Sequence, residues 1–154
     1  MKILLLFVGK TTESYLKEGT EIYLRRLSNY ISTFVEIVPP SKEKDLFKAI
    51  QDENKKIQSK LLPGDYLIVL DEGGTEIGSK KLAGLFQKWM VQGIGRVVLV
   101  TGGPYGLASE LKQKADFMLS ISKFTFTHQM IRLILVEQLY RAMTIIKNQN
   151  YHHD

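Results

Sequence analysis

The sequence predicts an α/β fold: a parallel sheet with helices on both faces. Three observations carry that reading. Short apolar runs alternate with amphipathic helical stretches from end to end, the order expected of parallel strands joined by crossover helices. Ile3–Val8 is an unbroken apolar run, the pattern of a strand covered on both faces. Two turns rich in glycine, serine and threonine follow the later strands, at the edge where open α/β sheets take their ligands.

After the first strand, Glu13–Leu27 reads as a helix, with Tyr15, Leu16, Ile22, Tyr23 and Leu27 at helical spacing. Glu21 stands four residues before Arg25 on its wet side, a favourable pairing. Phe34–Val38 is a second strand, stopped by Pro39-Pro40. Ser41 is the expected N-cap of a long charged helix reaching Leu62, with Leu46, Ile50, Ile57 and Leu61 on one face. Pro63-Gly64 breaks it. Tyr66–Leu70 is the third strand, with Asp71-Glu72-Gly73-Gly74 as a loop at its carboxyl end. Ser79 is expected to cap a helix holding Leu82, Leu85, Phe86, Trp89 and Met90, which Gly93 terminates.

Val97–Val100 is the fourth strand and runs straight into Thr101-Gly102-Gly103-Pro104-Tyr105-Gly106-Leu107. A short helix near Ala108–Ala115 separates it from a fifth strand-like run, Phe117–Ser122. Lys123-Phe124-Thr125-Phe126-Thr127-His128 then leads into a last helix starting near Gln129. No repeat, low-complexity tract or linker interrupts this order, so residues 1–154 are expected to form one domain.

The last helix departs from the surface pattern. From Met130 to Ile146, apolar residues occupy nearly every side, where a surface helix shows one apolar stripe. It is expected to be covered on two sides, with a second copy of the chain as the outer cover. The alternative is a central core helix within a monomer.

Bulk composition bounds the function. A chain of 154 residues with 44% hydrophobic and 24% charged content is long enough to bury a core and ordinary for a globular protein. Its net charge of +5 favours a polyanionic partner such as nucleic acid, although a basic domain without such a partner has the same charge. The absence of cysteine excludes disulfides, thiolate metal sites and cysteine nucleophiles. Met1–Val8 is too short to cross a bilayer, which takes ~20 apolar residues, and no small-residue cleavage site follows it. The expected setting is the cytoplasm, with no membrane partner.

The candidate chemistry lies in the last third. Gly102, Gly103 and Gly106 match neither a Walker A loop nor GxGxxG spacing. Such glycines usually mark a turn, and here they also let a flat ring approach the main chain. The Ser122–Thr127 segment alternates hydroxyl and aromatic side chains and can wrap a purine, with Leu70 as a facing apolar contact. His128 stands at a helix N-terminus, which disfavours the imidazolium and leaves a neutral ring able to accept a proton. From spacing alone, packing or capping is the better reading of that position. Arg132 and Arg141 are candidates for phosphate contacts or for ion pairs on the strip that holds Glu137. In the tail, Tyr151 can stack on a base and His152 and His153 can meet phosphate, though tails are more often frayed. Two adjacent histidines without a third ligand make a poor metal site, so no metal is expected.

These segments together resemble the RlmH family. The residues concerned are Gly102-Gly103-Pro104-x-Gly106-Leu107, then Leu119-Ser120-x-Ser122-Lys123-x-Thr125-Phe126-x-His128-Gln129-Met130-x-Arg132, then Glu137-Gln138-Leu139-Tyr140-Arg141-Ala142 and the closing Tyr151-His152-His153. The resemblance starts at Lys2–Lys10 and covers essentially the whole chain. It implies a SPOUT-type α/β domain with a carboxyl-terminal trefoil knot, active as a homodimer. It also implies methyl transfer from S-adenosylmethionine to N3 of a pseudouridine in large-subunit (23S) ribosomal RNA, within the assembled ribosome.

Position by position, the resemblance assigns the cofactor to Leu70, Gly102, Gly103, Ile121, Ser122, Lys123, Phe124, Thr125 and Phe126. Tyr151, His152 and His153 are placed near the RNA, close to the partner's pocket, and His128 and Arg132 are catalytic candidates. The N3 proton needs an acceptor: His128, a tail histidine or a water. Two other readings remain: a non-catalytic module that docks on ribosomes, and a flavodoxin-like nucleotide binder, for which Gly9-Lys10-Thr11-Thr12 is a poor phosphate loop.

Overall fold

The computed structural model describes residues 1–153. Its strands are β1 (Lys2–Val8), β2 (Thr33–Val38), β3 (Tyr66–Glu76), β4 (Arg96–Thr101) and β5 (Phe117–Ser120). They form one sheet in the order β2-β1-β4-β3-β5, and every pairing is parallel. The helices are α1 (Ser14–Ser28), α2 (Leu46–Gln58), α3 (Ser79–Val91), α4 (Ser109–Lys114) and α5 (Met130–Ile146).

Alternation along each strand divides the core in two. Ile3, Leu5 and Phe7 of β1 face a layer containing Leu27 of α1, Phe86 and Trp89 of α3, and Leu135 and Leu139 of α5. Leu4, Leu6 and Val8 face Ile57 of α2 and Leu111 of α4. Successive crossovers reverse both their direction along the sheet and the face they cover, so all keep one hand. The apolar central strands have no wet side, which is why they read as continuous runs.

Three expected boundaries are corrected. The second helix starts at Leu46, and its N-cap is Asp45, whose carboxylate accepts from Lys48 N–H at 2.9 Å. Ser41 instead closes a small turn, its hydroxyl accepting from Glu43 N–H at 3.2 Å. Ser79 is the first residue of α3, not its cap; its hydroxyl donates to Gln138 on α5 at 2.6 Å. Asp71-Glu72-Gly73-Gly74 is an excursion inside a longer β3, after which Thr75 and Glu76 pair again with Leu119 and Ser120. Gly74 permits it, because a Cβ there would lie 2.7 Å from the main chain of Leu119.

On α5 the residues facing the sheet are fully buried and the outer ones half-buried. Part of the outer apolar surface is covered within the chain. Leu133 packs against the bare Gly19 of α1, and Tyr140 meets the rings of Tyr23 and Tyr30. No helix among the described residues is long and apolar enough to cross a membrane.

Candidate functional site

The chain leaves β3 and β4 toward opposite faces, because α3 covers one and α4 the other. At the carboxyl edge between them a cavity of about 760 Å³ opens. Ligand pockets run roughly 300–1,000 Å³, so a small organic molecule fits. Three stretches supply most of its walls, the end of β3, the turn after β4, and the segment from the end of β5 into α5, with Leu46 of α2 and Lys112 of α4 completing the lining.

Of the residues singled out from sequence, Leu70, Gly102, Gly103, Ile121, Ser122, Phe124, Thr125, Phe126 and His128 all line this cavity. Lys123 does not; it is exposed beside it. The turn after β4 is held by an antiparallel bridge between Gly103 and Gly106, with Gly106 N–H donating to Gly103 C=O at 3.1 Å. A Cβ on Gly102 would sit 2.8 Å from the main chain of Gly106, so the glycine is demanded by the turn itself. Gly103 is less constrained, its would-be Cβ meeting Val8 at 3.3 Å. Both glycines therefore shape the wall before any ligand approaches.

The segment after β5 is tied by local bonds. Ser120 Oγ donates to Ser122 C=O at 3.1 Å, and Ser122 Oγ accepts from Phe124 N–H at 3.0 Å. Thr127 Oγ1 accepts from Met130 N–H at 3.1 Å, serving one otherwise free donor at the start of α5. The aromatic rings there do not form the enclosed walls expected from sequence: Phe124 is 81% exposed.

Sequence reasoning missed three features. Thr101 at the end of β4 is 1% exposed, lines the cavity, and its Oγ1 has no hydrogen-bond partner among the described residues. Asp71 and Lys112 also line the cavity and form an ion pair there. Thr101 ends an apolar run and read as part of the turn. Lys112 lies about forty residues from Asp71, and no sequence pattern joins them.

Two of the proposed catalytic groups part company. His128 lines the cavity, and its imidazole is held below its ordinary pKa by burial first and by the Arg132 charge second. Arg132 is 0% exposed and does not line the cavity, so it is no phosphate contact. Its guanidinium donates to Val8 C=O at 2.6 Å, Gly9 C=O at 2.9 Å and Thr11 Oγ1 at 3.0 Å, and it stands over the Phe7 ring. Beside it, Gln129 Oε1 accepts from Thr12 N–H and Glu13 N–H at 2.8 and 3.2 Å. The two side chains staple the loop after β1 to the start of α5.

The tail is docked rather than frayed. Tyr151 donates its hydroxyl proton to Glu137 at 3.0 Å, and its oxygen is 3.1 Å from that of Tyr23. The Arg141 guanidinium lies 4.6 Å from the Tyr151 ring centre and bonds Glu137 at 2.5 Å, so Arg141 is an ion-pair partner. Burial, with these neighbours, pushes the Tyr151 phenol well above its ordinary value. None of Tyr151, His152 and His153 lines the cavity. Ile131 does, and Arg141 lies ten residues further along α5, about 15 Å at 1.5 Å per residue.

No group of three or more histidine or acidic side chains among the described residues could hold a metal ion. The cavity does suit an adenosyl compound: it has the volume, apolar surface at Leu70, Leu119 and Ile131, and an unmet hydroxyl in its wall.

Comparison with known proteins places this geometry. Two curated relatives carry the name ribosomal RNA large subunit methyltransferase H. The one from Porphyromonas gingivalis is 42% identical over 157 residues, and the one from Parabacteroides distasonis 45%, with all of both chains covered in each case. Among solved structures, a probable methyltransferase from Bordetella pertussis shares 11% identity at a TM-score of 0.56, over 92% of this chain and 96% of that one. The methyltransferase Lpg2936 from Legionella pneumophila, solved with bound SAM, shares 12% at 0.51, over 92% of this chain and 66% of that one. The family described as "Predicted SPOUT methyltransferase" matches residues 1–152. With its five-stranded parallel sheet and a cavity walled by the loops after β3, β4 and β5, the chain belongs to the SPOUT methyltransferase family.

Proposed function

We propose that this protein methylates N3 of a pseudouridine in large-subunit (23S) ribosomal RNA, using S-adenosylmethionine. The observation that carries the reading is the convergence of Leu70, Gly102, Gly103 and the 121–126 segment on one cavity in a SPOUT chain. Full-length relatives at 42–45% identity are named for the ribosomal RNA reaction, and the Legionella neighbour holds the same cofactor. Bound in the cavity, S-adenosylmethionine supplies a methyl group on positively charged sulfur, which becomes a neutral thioether once the methyl has moved.

The protein's own groups have three tasks. The turn after β4 and the segment after β5 bind and orient the cofactor, which removes much of the entropic cost of bringing two reactants together. His128, kept neutral by burial and by Arg132, can take the N3 proton as the ring attacks. Lys123, exposed beside the opening, meets the RNA and not the cofactor, with the overall charge of +5 favouring the polyanion.

We further propose a homodimer, in which the Tyr151–His153 tail of one copy serves the other's cavity. The docking of Tyr151 on Glu137, six residues or about 9 Å along α5 from the cavity-lining Ile131, supports this. A trefoil path for the segment after β5 rests on membership of the SPOUT family. So small a chain offers little surface for reading sequence, so the target is the assembled ribosomal particle in the cytoplasm.

Titration calorimetry with S-adenosylmethionine, followed by primer extension across methylated particles, tests the proposal. A saturable site and a new stop at a pseudouridine are expected. A protein that binds particles but not the cofactor would be a docking module, and the enzymatic reading would be lost.

A further inference from the structure

Thr101 is the one polar side chain in the cavity wall that is both buried and without a hydrogen-bond partner among the described residues. Leaving a buried hydroxyl unmet costs about 1–3 kcal/mol, and native proteins rarely accept that without a reason. A valine would fill nearly the same space at the end of β4 without that cost, like Val100 and Val98 one and three residues earlier in the strand. From this we infer that Thr101 Oγ1 is a cofactor contact, and that it reads the nucleoside end of the molecule.

Its place in the fold says which end. Thr101 pairs with Phe7 in the sheet and so points to the face covered by α5, where Leu119 and Ile131 supply the neighbouring cavity wall. The charged lining groups, Asp71, Glu72 and Lys112, come from β3 and α4. An amino-acid moiety with its ammonium and carboxylate belongs with those charges and with water. A purine has an apolar body and a hydrogen-bonding edge, and suits a wall of aliphatic side chains with one hydroxyl. That hydroxyl can donate to a ring nitrogen or accept from the exocyclic amine.

The assignment rests on the reading that the cavity takes S-adenosylmethionine, and the test separates the two. Full-length protein is titrated with S-adenosylhomocysteine and with 5′-methylthioadenosine, which keeps the nucleoside and lacks the amino-acid end. Thr101→Val is expected to weaken both ligands by the same factor, about tenfold, the effect of one hydrogen bond. Thr101→Ser, which keeps the oxygen, should stay within about threefold of the parent. Without ligand, Thr101→Val should melt about 2–4 °C higher, since an unmet polar group has gone.

A merely structural threonine would lower that melting point and leave affinity alone. Unchanged affinity for both ligands overturns the inference. A loss confined to S-adenosylhomocysteine overturns the nucleoside assignment. Failure of the parent protein to bind either compound strikes the proposed function instead. If the valine variant does not fold, Thr101→Ala with the same two ligands decides the matter by the same factors.

Discussion

Arg132 places a full positive charge where no water reaches and no carboxylate among the described residues answers it. Burial pulls its pKa down, but a guanidinium starts so high that it remains charged. What holds it is a set of oxygens, two main-chain carbonyls and a threonine hydroxyl, from the last residue of β1 and the loop after it. Arg132→Met would leave those acceptors without donors, and the expected loss is about 2–4 kcal/mol in urea unfolding. Arg132→Lys should recover only part, because one ammonium cannot span the fork. A loss below about 1 kcal/mol for the methionine variant would show the bonds to be dispensable. The same charge acts on His128, four residues earlier. A histidine with a lowered folded pKa favours the neutral form, so its contribution to stability is present above the ordinary value of about 6.5. That contribution is lost as pH falls from there through the folded pKa. The proposed proton acceptor also stays competent below about pH 6.5, so the acid limb of the rate profile should lie under that value. His128→Gln should abolish the limb and slow turnover by about 10²–10⁴-fold. A limb that survives the substitution assigns the proton to another group.

The turn after β4 shows what a glycine does for a whole element. Gly102 has no room for a Cβ because Gly106 crosses it at 2.8 Å, whereas Gly103 needs its neighbour Val8 to yield only a few tenths of an ångström. Gly102→Ala should therefore open the bridge between Gly103 and Gly106 and weaken cofactor binding at least tenfold, with Gly103→Ala within about threefold. Calorimetry on the two variants checks the order, and a reversed order would mean that ligand approach, not turn closure, selects these glycines. Such crossings explain how much of the element plan was legible. β1, β4 and the start of β3 show as unbroken apolar runs because helices cover both their faces. The continuation of β3 past Leu70 was hidden, since Asp71-Glu72-Gly73-Gly74 has the composition of a turn and only its pairing with β5 makes it strand. Ser41 reads as the cap because it opens the charged helical pattern, and only the bond from Lys48 N–H shows that Asp45 fills that place. Lining residues were legible where a loop is contiguous, as in 121–126. They were not legible where the fold alone joins distant parts, as with Asp71 and Lys112, or Thr101 beneath α5. The inward turn of Arg132 was equally hidden, because a cation on an apolar helix reads as its wet side.

At the scale of the molecule, the cavity and the tail lie at different places along α5, and that separation has a consequence for assembly. Tyr151 is fixed to Glu137 and Tyr23, and Arg141 covers its ring, so the tail cannot swing to its own cavity without giving up those contacts. If the proposed dimer places each tail at the other copy's cavity, cofactor binding and tail chemistry belong to different chains in each working site. Removal of residues 151–154 should then leave S-adenosylmethionine binding within about threefold and reduce methylation of ribosomal particles by at least about 10²-fold. Gly102→Ala should show the opposite pattern, with a weakened cavity and an intact tail. Mixing the two defective proteins under conditions that exchange subunits creates mixed dimers. In each of these, one site joins a sound cavity to a sound tail, and the other site carries both defects. At a cofactor concentration too low to fill the Gly102→Ala cavity, either variant alone is nearly inert, and activity should return toward half the parent rate in the mixed dimers. A tail acting on its own chain's cavity gives another result: every site in the mixture keeps one defect, and no activity returns. Glu137→Gln provides the intermediate case. It weakens the Tyr151 anchor and the Arg141 pair while leaving every cavity residue in place, so turnover should fall with affinity for the cofactor unchanged.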